Sequence, residues 1–196
     1  MAVWFGKVRR GMAGVLACSM CVTALILVIH GRGWEVLPMH LCSLSALCAL
    51  ALALHPRGWM LDFLWYLGMP GAALALLFPA PAAGSLQFLI NLSYAATHLL
   101  ILLIPALMML LGMRPQAARS GCALLILQGI ALAAHGMNSV LDTNFLFLSA
   151  PPAGTPLEWF FQMGMPVYLM VLEALMAGAA AGMERLRIHM FERGGK

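Results

Sequence analysis

Residues 37–43 (LPMHLCS) place an imidazole and a thiol within an otherwise apolar stretch of the chain. A thiolate is a strong nucleophile, and a nearby imidazole can take its proton and later return it to a leaving group. Ionisable groups are expensive inside a bilayer, and those found there usually face a cavity or a partner. Cys42 is therefore a candidate nucleophile. The simpler alternative is a packed histidine beside a buried structural thiol.

Other polar residues recur at helical spacing in three later apolar segments. These stripes are Asn91–Tyr94–His98, Gln128–His135–Asn138 and Gln162–Pro166–Glu173. Residues three, four and seven apart share one face of a helix. Such stripes either stabilise helix packing through interhelical hydrogen bonds, each worth ~1 kcal/mol, or line a polar cavity. We expect the second, fourth, fifth and sixth apolar segments to surround a polar cavity, with the first and third more peripheral.

Two histidines compete for the role of general base. Counted at ~1.5 Å per residue from the helix ends, His135 matches the depth of Cys42 better than His98 does. His40 is a poor base, because two positions along one helix turn its side chain ~200° away from Cys42. His40 and Glu173 are retained as supporting groups.

Four side chains could donate a hydrogen bond to an oxyanion formed during attack on an ester. They are Asn91, Tyr94, Asn138 and Asn144.

Composition identifies the class of protein that must position these groups. The hydrophobic fraction is 63%, only 9% of residues are charged and the mean hydropathy is +0.92, values far outside the range of soluble domains. The net charge of +4 arises from clusters at the ends of apolar segments, so it indicates orientation and not a nucleic-acid partner. Five cysteines within apolar runs suggest no disulfide framework.

We predict an all-α membrane protein, a six-transmembrane-helix bundle forming a single integral membrane domain over residues 1–196. The predicted helices span approximately 12–28, 36–54, 60–78, 86–111, 121–139 and 157–182, and Pro38 falls in the first turn of the second. Each is close to the ~20 residues that cross a bilayer. The loop 79–81 follows the third helix.

The basic residues predict that both termini are cytoplasmic. With six crossings, ten of the eleven Lys and Arg residues fall on one side and only Arg32 on the other. Cytoplasmic loops carry such an excess of Lys and Arg. The ten include Lys196 at the end of the chain. We therefore expect a multi-pass protein of the plasma or inner membrane.

The segment LPMHLC resembles the LPLHLC signature of the YwaF family, also called the transmembrane protein 164 family. Further similar elements follow in order: YLGMPGA at residues 66–72, Thr97-His98, Asn138 with DTNF at residues 142–145, and Glu173. The chain departs from the family pattern at Thr97 (usually Ser), at Phe145 (usually Tyr) and at Phe78-Pro79 (usually Thr-Pro).

This resemblance implies a six-helix fold and a distant relation to androgen-induced membrane hydrolases, which act on lipid esters. The family includes proteins regarded as lipid acyltransferases that use a cysteine and a histidine. Carried to this chain, these residues are Cys42 and His98. The resemblance thus implies acyl transfer or ester hydrolysis on a phospholipid or lysophospholipid, without a cofactor.

Two other functions fit the same residues. A transporter or carrier would line a path with the polar stripes and bind a cation or proton at Glu173. A metal or haem protein would use His40, Cys42, His98 and His135, although no spacing motif supports a metal site.

The first testable prediction concerns orientation. Reporter fusions after Trp34 and after Met113 should give opposite signals, because the ten-to-one distribution of basic residues puts these positions on opposite sides of the membrane. Equal signals at both positions would contradict the six-crossing arrangement.

Overall fold

The computed structural model describes residues 2–79 and 86–193, and this part of the chain contains helices and no strands. Ala80 and Pro81 of the predicted loop, and Lys196, lie outside the described residues. The α-helices are α1 Ala2–Ile29, α2 Leu41–Leu54, α3 Gly58–Phe63, α4 Met69–Leu77, α5 Gln87–Leu110, α6 Ser120–Leu141, α7 Leu157–Gln162 and α8 Met165–Ile188. A π-helical turn, Leu64–Gly68, joins α3 to α4 without a break, and a second one, His189–Arg193, extends α8.

Five stretches are long and apolar enough to cross a membrane: Trp4–Ile29, Gly58–Leu77, Gln87–Leu110, Ser120–Leu141 and Met165–Glu192. The sixth apolar helix, α2, is shorter, with 14 residues. The prediction of an all-α membrane protein is thus confirmed. We call the end of the bundle that carries Arg57, Arg119 and the C-terminal part of α8 the basic end.

The second helix begins five residues later than predicted. Residues Gly33–Val36 form a 3₁₀ turn, and Leu37 and His40 have extended ψ angles of 132° and 144°. A residue before proline is pushed out of the α region, so Pro38 ends the turn instead of opening the helix. The placement of Pro38 in the first helical turn was therefore wrong. His40 is the N-cap of α2 and is not a helical residue.

The predicted sixth helix is two helices. Gly164 separates α7 from α8. Its φ is 113°, a backbone conformation that residues other than glycine rarely adopt. Pro166 then occupies the first turn of α8, where its missing N–H costs nothing. Gln162 consequently lies on α7 and Glu173 on α8, so the predicted Gln162–Glu173 stripe does not exist as one helix face.

Hydroxyl groups join α1 to α5. Ser19 Oγ donates to the Ser93 carbonyl and Ser93 Oγ donates to the Ser19 carbonyl, both at 2.9 Å. The Thr97 hydroxyl lies 2.9 Å from Ser19 Oγ, and the Thr23 hydroxyl lies 2.5 Å from Ser93 Oγ. Because each of these hydroxyl groups has a hydrogen-bond partner, none of them is left unsatisfied in the hydrocarbon region of the membrane.

The third predicted helix is not peripheral, whereas the first is mostly exposed and contacts the core through one side. Leu16 of α1 is fully buried, as are Leu64, Tyr66 and Leu67 in the π-helical turn. The helices α6 and α8 expose the largest share of their surface instead. The expectation of which helices form the centre was wrong, because it counted polar residues and ignored small and hydroxyl side chains that let helices approach closely.

A buried charge network lies at the basic end. Arg187, only 5% exposed, donates to Glu184 at 2.9 Å and to Glu192 at 2.8 Å. Tyr66 contacts Glu184 through its hydroxyl, and Trp65 Nε1 donates to the Met183 carbonyl at 3.2 Å. The network therefore fixes the C-terminal part of α8 against the π-helical turn.

We predict that Arg187→Met destabilises the protein more than Arg185→Met does. Removing one partner of a buried ion pair leaves the other charge uncompensated, and here we expect about 2–3 kcal/mol because Glu184 keeps some solvent contact. Arg185, two residues earlier and exposed, is the matched control. Thermal unfolding in detergent measures the difference, and equal melting temperatures for the two variants would show that the network adds no stability.

Candidate active site

His98 is buried on α5 and has a defined orientation. Its Nδ1 lies 2.7 Å from the Tyr94 carbonyl oxygen, and its ring stacks on the Tyr94 ring with centroids 4.1 Å apart. Helical side chains lean toward the N-terminus of their helix, which brings the imidazole up to the level of Tyr94. A hydrogen bond from Nδ1 to a carbonyl fixes the tautomer and makes Nε2 the acceptor nitrogen. His98 thus has the protonation pattern that a general base needs.

Tyr94 links α5 to α4. Its hydroxyl donates to the Ala75 carbonyl at 2.7 Å, so the phenol proton is already engaged within the protein. The bond and the stacked His98 ring hold the Tyr94 side chain in one position. Tyr94 therefore supports His98 directly, and its hydroxyl would have to leave Ala75 before it could bind an oxyanion.

Cys42 lies in the first turn of α2, on the side that faces α5. It shares this side with Ala46, Ala49 and Ala53, three buried residues that pack in the same core as α1 and α5. The thiol is within electrostatic reach of the Tyr94 hydroxyl. No hydrogen bond joins the Cys42 thiol to the His98 imidazole. Cys42 therefore lies on the side of α2 that packs toward α5, the helix that carries Tyr94 and His98.

His40 packs against aromatic rings from the segment after α6. Its ring centroid lies 5.3 Å from that of Phe145 and 5.4 Å from that of Phe147. Because His40 precedes the helix, the predicted ~200° separation from Cys42 along a helix does not apply to it. His40 forms the boundary between the start of α2 and this aromatic pair.

Two asparagines hold that segment, residues 142–150, in place. Asn138 Nδ2 donates to the Phe145 carbonyl at 3.1 Å, and Asn138 Oδ1 accepts from the Phe145 N–H at 2.7 Å and from the Thr143 hydroxyl at 3.0 Å. Asn144, six residues later, acts similarly: it donates to the Ala150 carbonyl at 2.9 Å and accepts from the Ser149 N–H at 3.0 Å. Both amides, expected as oxyanion donors, are engaged in shaping this segment.

The segment also carries backbone strain. Asp142, Leu146 and Phe147 all have φ between 51° and 57°, the left-handed region that residues with side chains avoid. Tyr168 on α8 donates from its hydroxyl to the Phe147 carbonyl at 2.5 Å. Such conformations persist only when the surroundings over-determine them, and they are concentrated at functional sites. The segment is therefore a rigid aromatic cap beside His40.

The remaining predicted residues lie away from Cys42. His135 is exposed on the outside of α6, and Asn91 is exposed one turn before Tyr94. Glu173 on α8 is exposed and accepts a hydrogen bond at 2.6 Å from Gln128 of α6. Asn138 is buried whereas Gln128 and His135 are exposed, so the side of α6 that carries them does not line a polar cavity along its length.

Sequence reasoning did not single out Ser45 and Gly68. The Ser45 side chain is buried, and its Oγ has no hydrogen-bond partner. A Cβ added at Gly68, in the π-helical turn, would lie 3.1 Å from that oxygen, and one added at Gly71 would lie 3.3 Å from Leu41. The two glycines therefore allow α2 to approach the third membrane crossing closely. Glycines within an apolar helix were the available signal.

The residues that suggested a metal or haem site do not form one cluster. His40 faces Phe145 and Phe147, His98 faces Tyr94, and His135 is exposed. In the described ranges, 2–79 and 86–193, no group of three or more His, Cys, Asp or Glu side chains could hold a metal ion.

These features define a polytopic, all-helical membrane protein with a buried histidine on α5 and a partly buried thiol at the start of α2. The TMEM164 family model matches residues 2–183, nearly the whole chain, and the protein belongs to the TMEM164 family. No curated protein and no solved structure is significantly similar to the chain.

We predict that Asn138→Leu loosens residues 142–147 while the helices remain folded. Without the amide, the Phe145 N–H and carbonyl lose their partners, at roughly 1–3 kcal/mol for each buried group. Hydrogen exchange at the Phe145 amide should accelerate accordingly. Ser139→Ala is the matched control, because Ser139 is exposed and bonds only to its own helix. Unchanged exchange in Asn138→Leu would show that the strained segment is held by other contacts.

Proposed function

We propose that this protein is a membrane-embedded enzyme that transfers or hydrolyses an acyl group of a lipid ester, with Cys42 as nucleophile and His98 as general base. The observation that supports the proposal is the bond from His98 Nδ1 to the Tyr94 carbonyl, which leaves Nε2 as the acceptor nitrogen on α5, a helix that packs against α2. Burial among the core helices supports the same assignment, because water is kept from the reacting groups.

In the first step, His98 Nε2 accepts the proton of the Cys42 thiol as the sulfur attacks the ester carbonyl carbon. The carbonyl electrons move to oxygen and form a tetrahedral oxyanion. When this intermediate collapses, the C–O bond to the glycerol oxygen breaks and His98 returns its proton to that oxygen. The products are a thioester on Cys42 and a lysolipid.

The second step regenerates the thiol. His98 takes a proton from the hydroxyl group of an acceptor lysolipid, or from water, as that oxygen attacks the thioester carbonyl. Collapse expels the Cys42 sulfur, which is reprotonated by His98. A lysolipid acceptor gives transfer and water gives hydrolysis, so the acceptor alone separates the two reactions.

Because Cys42 and His98 are not hydrogen-bonded to each other, the thiol and the imidazole must move closer together before proton transfer. Catalytic hydrogen bonds are often long without substrate and tighten when it binds. The two residues lie on parallel helices, α2 and α5, whose separation here is set by alanines on the α2 side. A movement at the start of α2, where His40 meets the aromatic cap, would change the distance between the thiol and the imidazole.

The setting of the reaction is part of the proposal. We infer both termini to be cytoplasmic, the protein to reside in the plasma or inner membrane, and the lipid substrate to be a phospholipid or lysophospholipid. The basic end then faces the cytoplasm. Cys42 and the aromatic cap belong to the opposite end, so the substrate ester would come from the outer leaflet.

The mechanism predicts a covalent acyl adduct on Cys42. Intact-mass spectrometry after incubation with phospholipid should detect it in the unmodified protein, and hydroxylamine should remove it. Cys42→Ala should abolish it, whereas Cys42→Ser should form a more persistent oxygen ester, because an alkoxide leaves less readily than a thiolate. His98→Ala should slow formation ~100-fold to ~10,000-fold, the usual worth of a positioned proton-transfer group.

Two matched variants serve as controls for this experiment. Cys18→Ala removes an exposed thiol, and His135→Ala removes an exposed imidazole, so both should leave adduct formation unchanged. An acyl mass that persists in Cys42→Ala would rule out Cys42 as nucleophile. A larger loss in His135→Ala than in His98→Ala would transfer the role of base to His135.

A further inference from the structure

An apolar groove of about 420 Å³ lies between α2, α3 and α6. Leu44, Leu47 and Ala51 form its α2 wall, and Ile126 and Ile130 form its α6 wall. At 100° per residue these α2 positions lie roughly 140–200° around the helix from Cys42. The groove is therefore on the opposite side of α2 from the proposed catalytic thiol, and its function is a separate question.

At the basic end of the bundle the lining of the groove is no longer only apolar, because Trp59, Asp62 and Arg119 line it there. Trp59 is 64% exposed, as expected of an aromatic side chain at a membrane interface. The one hydrogen bond of the Arg119 side chain runs from Nε to Gln116 Oε1 at 3.0 Å, so neither terminal nitrogen is engaged by the described residues. The Arg119 guanidinium, whose terminal N–H groups are not engaged by the described residues, thus lies at the interfacial end of the apolar groove.

Asp62 adds a second charge at the same place. It is 93% buried, and its Oδ1 accepts from the Gln116 N–H at 2.7 Å. It is within electrostatic reach of Arg119. Its Oδ2 forms no hydrogen bond with the described part of the chain. The described residues do not fully enclose this oxygen, so it remains accessible from the groove.

We propose that this groove binds one acyl chain of a phospholipid from the leaflet at the basic end, with the lipid phosphate bound by Arg119. The walls belong to helices that cross the membrane, so the space opens toward lipid and is filled by a hydrocarbon chain. The planar guanidinium presents paired N–H donors that match phosphate oxygens. Asp62 attracts the ammonium group of a zwitterionic headgroup, so phosphatidylcholine binds in preference to phosphatidylglycerol, whose headgroup carries no cation.

The experiment uses purified full-length protein in maltoside detergent, titrated with phosphatidylcholine that carries a diazirine in one acyl chain. After irradiation, peptide mass spectrometry should locate adducts on the α2 and α6 walls. Ala51→Trp fills the groove and should abolish them. Arg119→Gln should raise the half-saturating lipid concentration about tenfold, the usual worth of a charge-assisted hydrogen bond.

Matched controls separate this site from general lipid contact. Arg114→Gln removes another cation at the basic end, one that lies over the Phe191 ring, and should change nothing. Leu103→Trp fills the apolar groove between α1 and α5 and should leave adducts on α2 and α6 intact. If Ala51→Trp does not fold by circular dichroism, Ile126→Trp fills the same groove from the other wall.

Several outcomes would overturn the proposal. Adducts that survive both tryptophan variants, or that distribute evenly over the two grooves, would mean that no chain is bound at this site. An unchanged titration in Arg119→Gln would remove the phosphate assignment. Phosphatidylglycerol competing better than phosphatidylcholine would remove the role of Asp62. None of these measurements involves acyl transfer, so they are independent of the proposed catalytic function.

Discussion

Hydrocarbon offers no hydrogen-bond partner, and this constraint determines how the helices of the protein are joined. Polar groups on a membrane helix are under strong pressure to find partners within the chain, because an unsatisfied group there costs several kcal/mol, and the buried Ser45 hydroxyl is an exception. Ser19 and Ser93 therefore pair across α1 and α5, and Tyr94 reaches the Ala75 carbonyl on α4. Trp65 joins the π-helical turn to α8. These bonds link successive crossings into one bundle.

The candidate active site follows from the same constraint. His98 satisfies Nδ1 within its own helix, through the Tyr94 carbonyl, and this local solution orients the second nitrogen for chemistry. The amides of Asn138 and Asn144 are used on the strained segment after α6, which places Phe145 and Phe147 against His40. Two of the amides expected to stabilise a transition state, those of Asn138 and Asn144, thus shape the cap.

The two sides of α2 serve different purposes. The side that carries Cys42 continues as Ala46 and Ala49, whose small side chains let α1 and α5 pack closely. The other side faces the groove that ends at Asp62 and Arg119. With 14 residues, α2 is shorter than each of the five stretches that can span a membrane, and it is also the helix that both proposed lipid sites share. Two lipids could therefore bind on opposite sides of one helix, with their headgroups at opposite ends of the bundle.

The sequence alone determined the helical membrane class, because only apolar segments of about 20 residues can cross a bilayer with their backbone satisfied. It also indicated the ordered family elements around Cys42, His98 and Asn138. Tertiary structure decided which polar residues meet. The spacing of residues along one helix shows which of them share a face, but it does not show which helix packs against that face. The exposure of His135 and the pairing of Ser19 with Ser93 therefore could not be predicted from the sequence. The extended residue before Pro38 and the break at Gly164 follow from local backbone preferences. The Asp62–Arg119 end of the groove, in contrast, arises from contacts between distant segments. Local propensity describes none of these contacts.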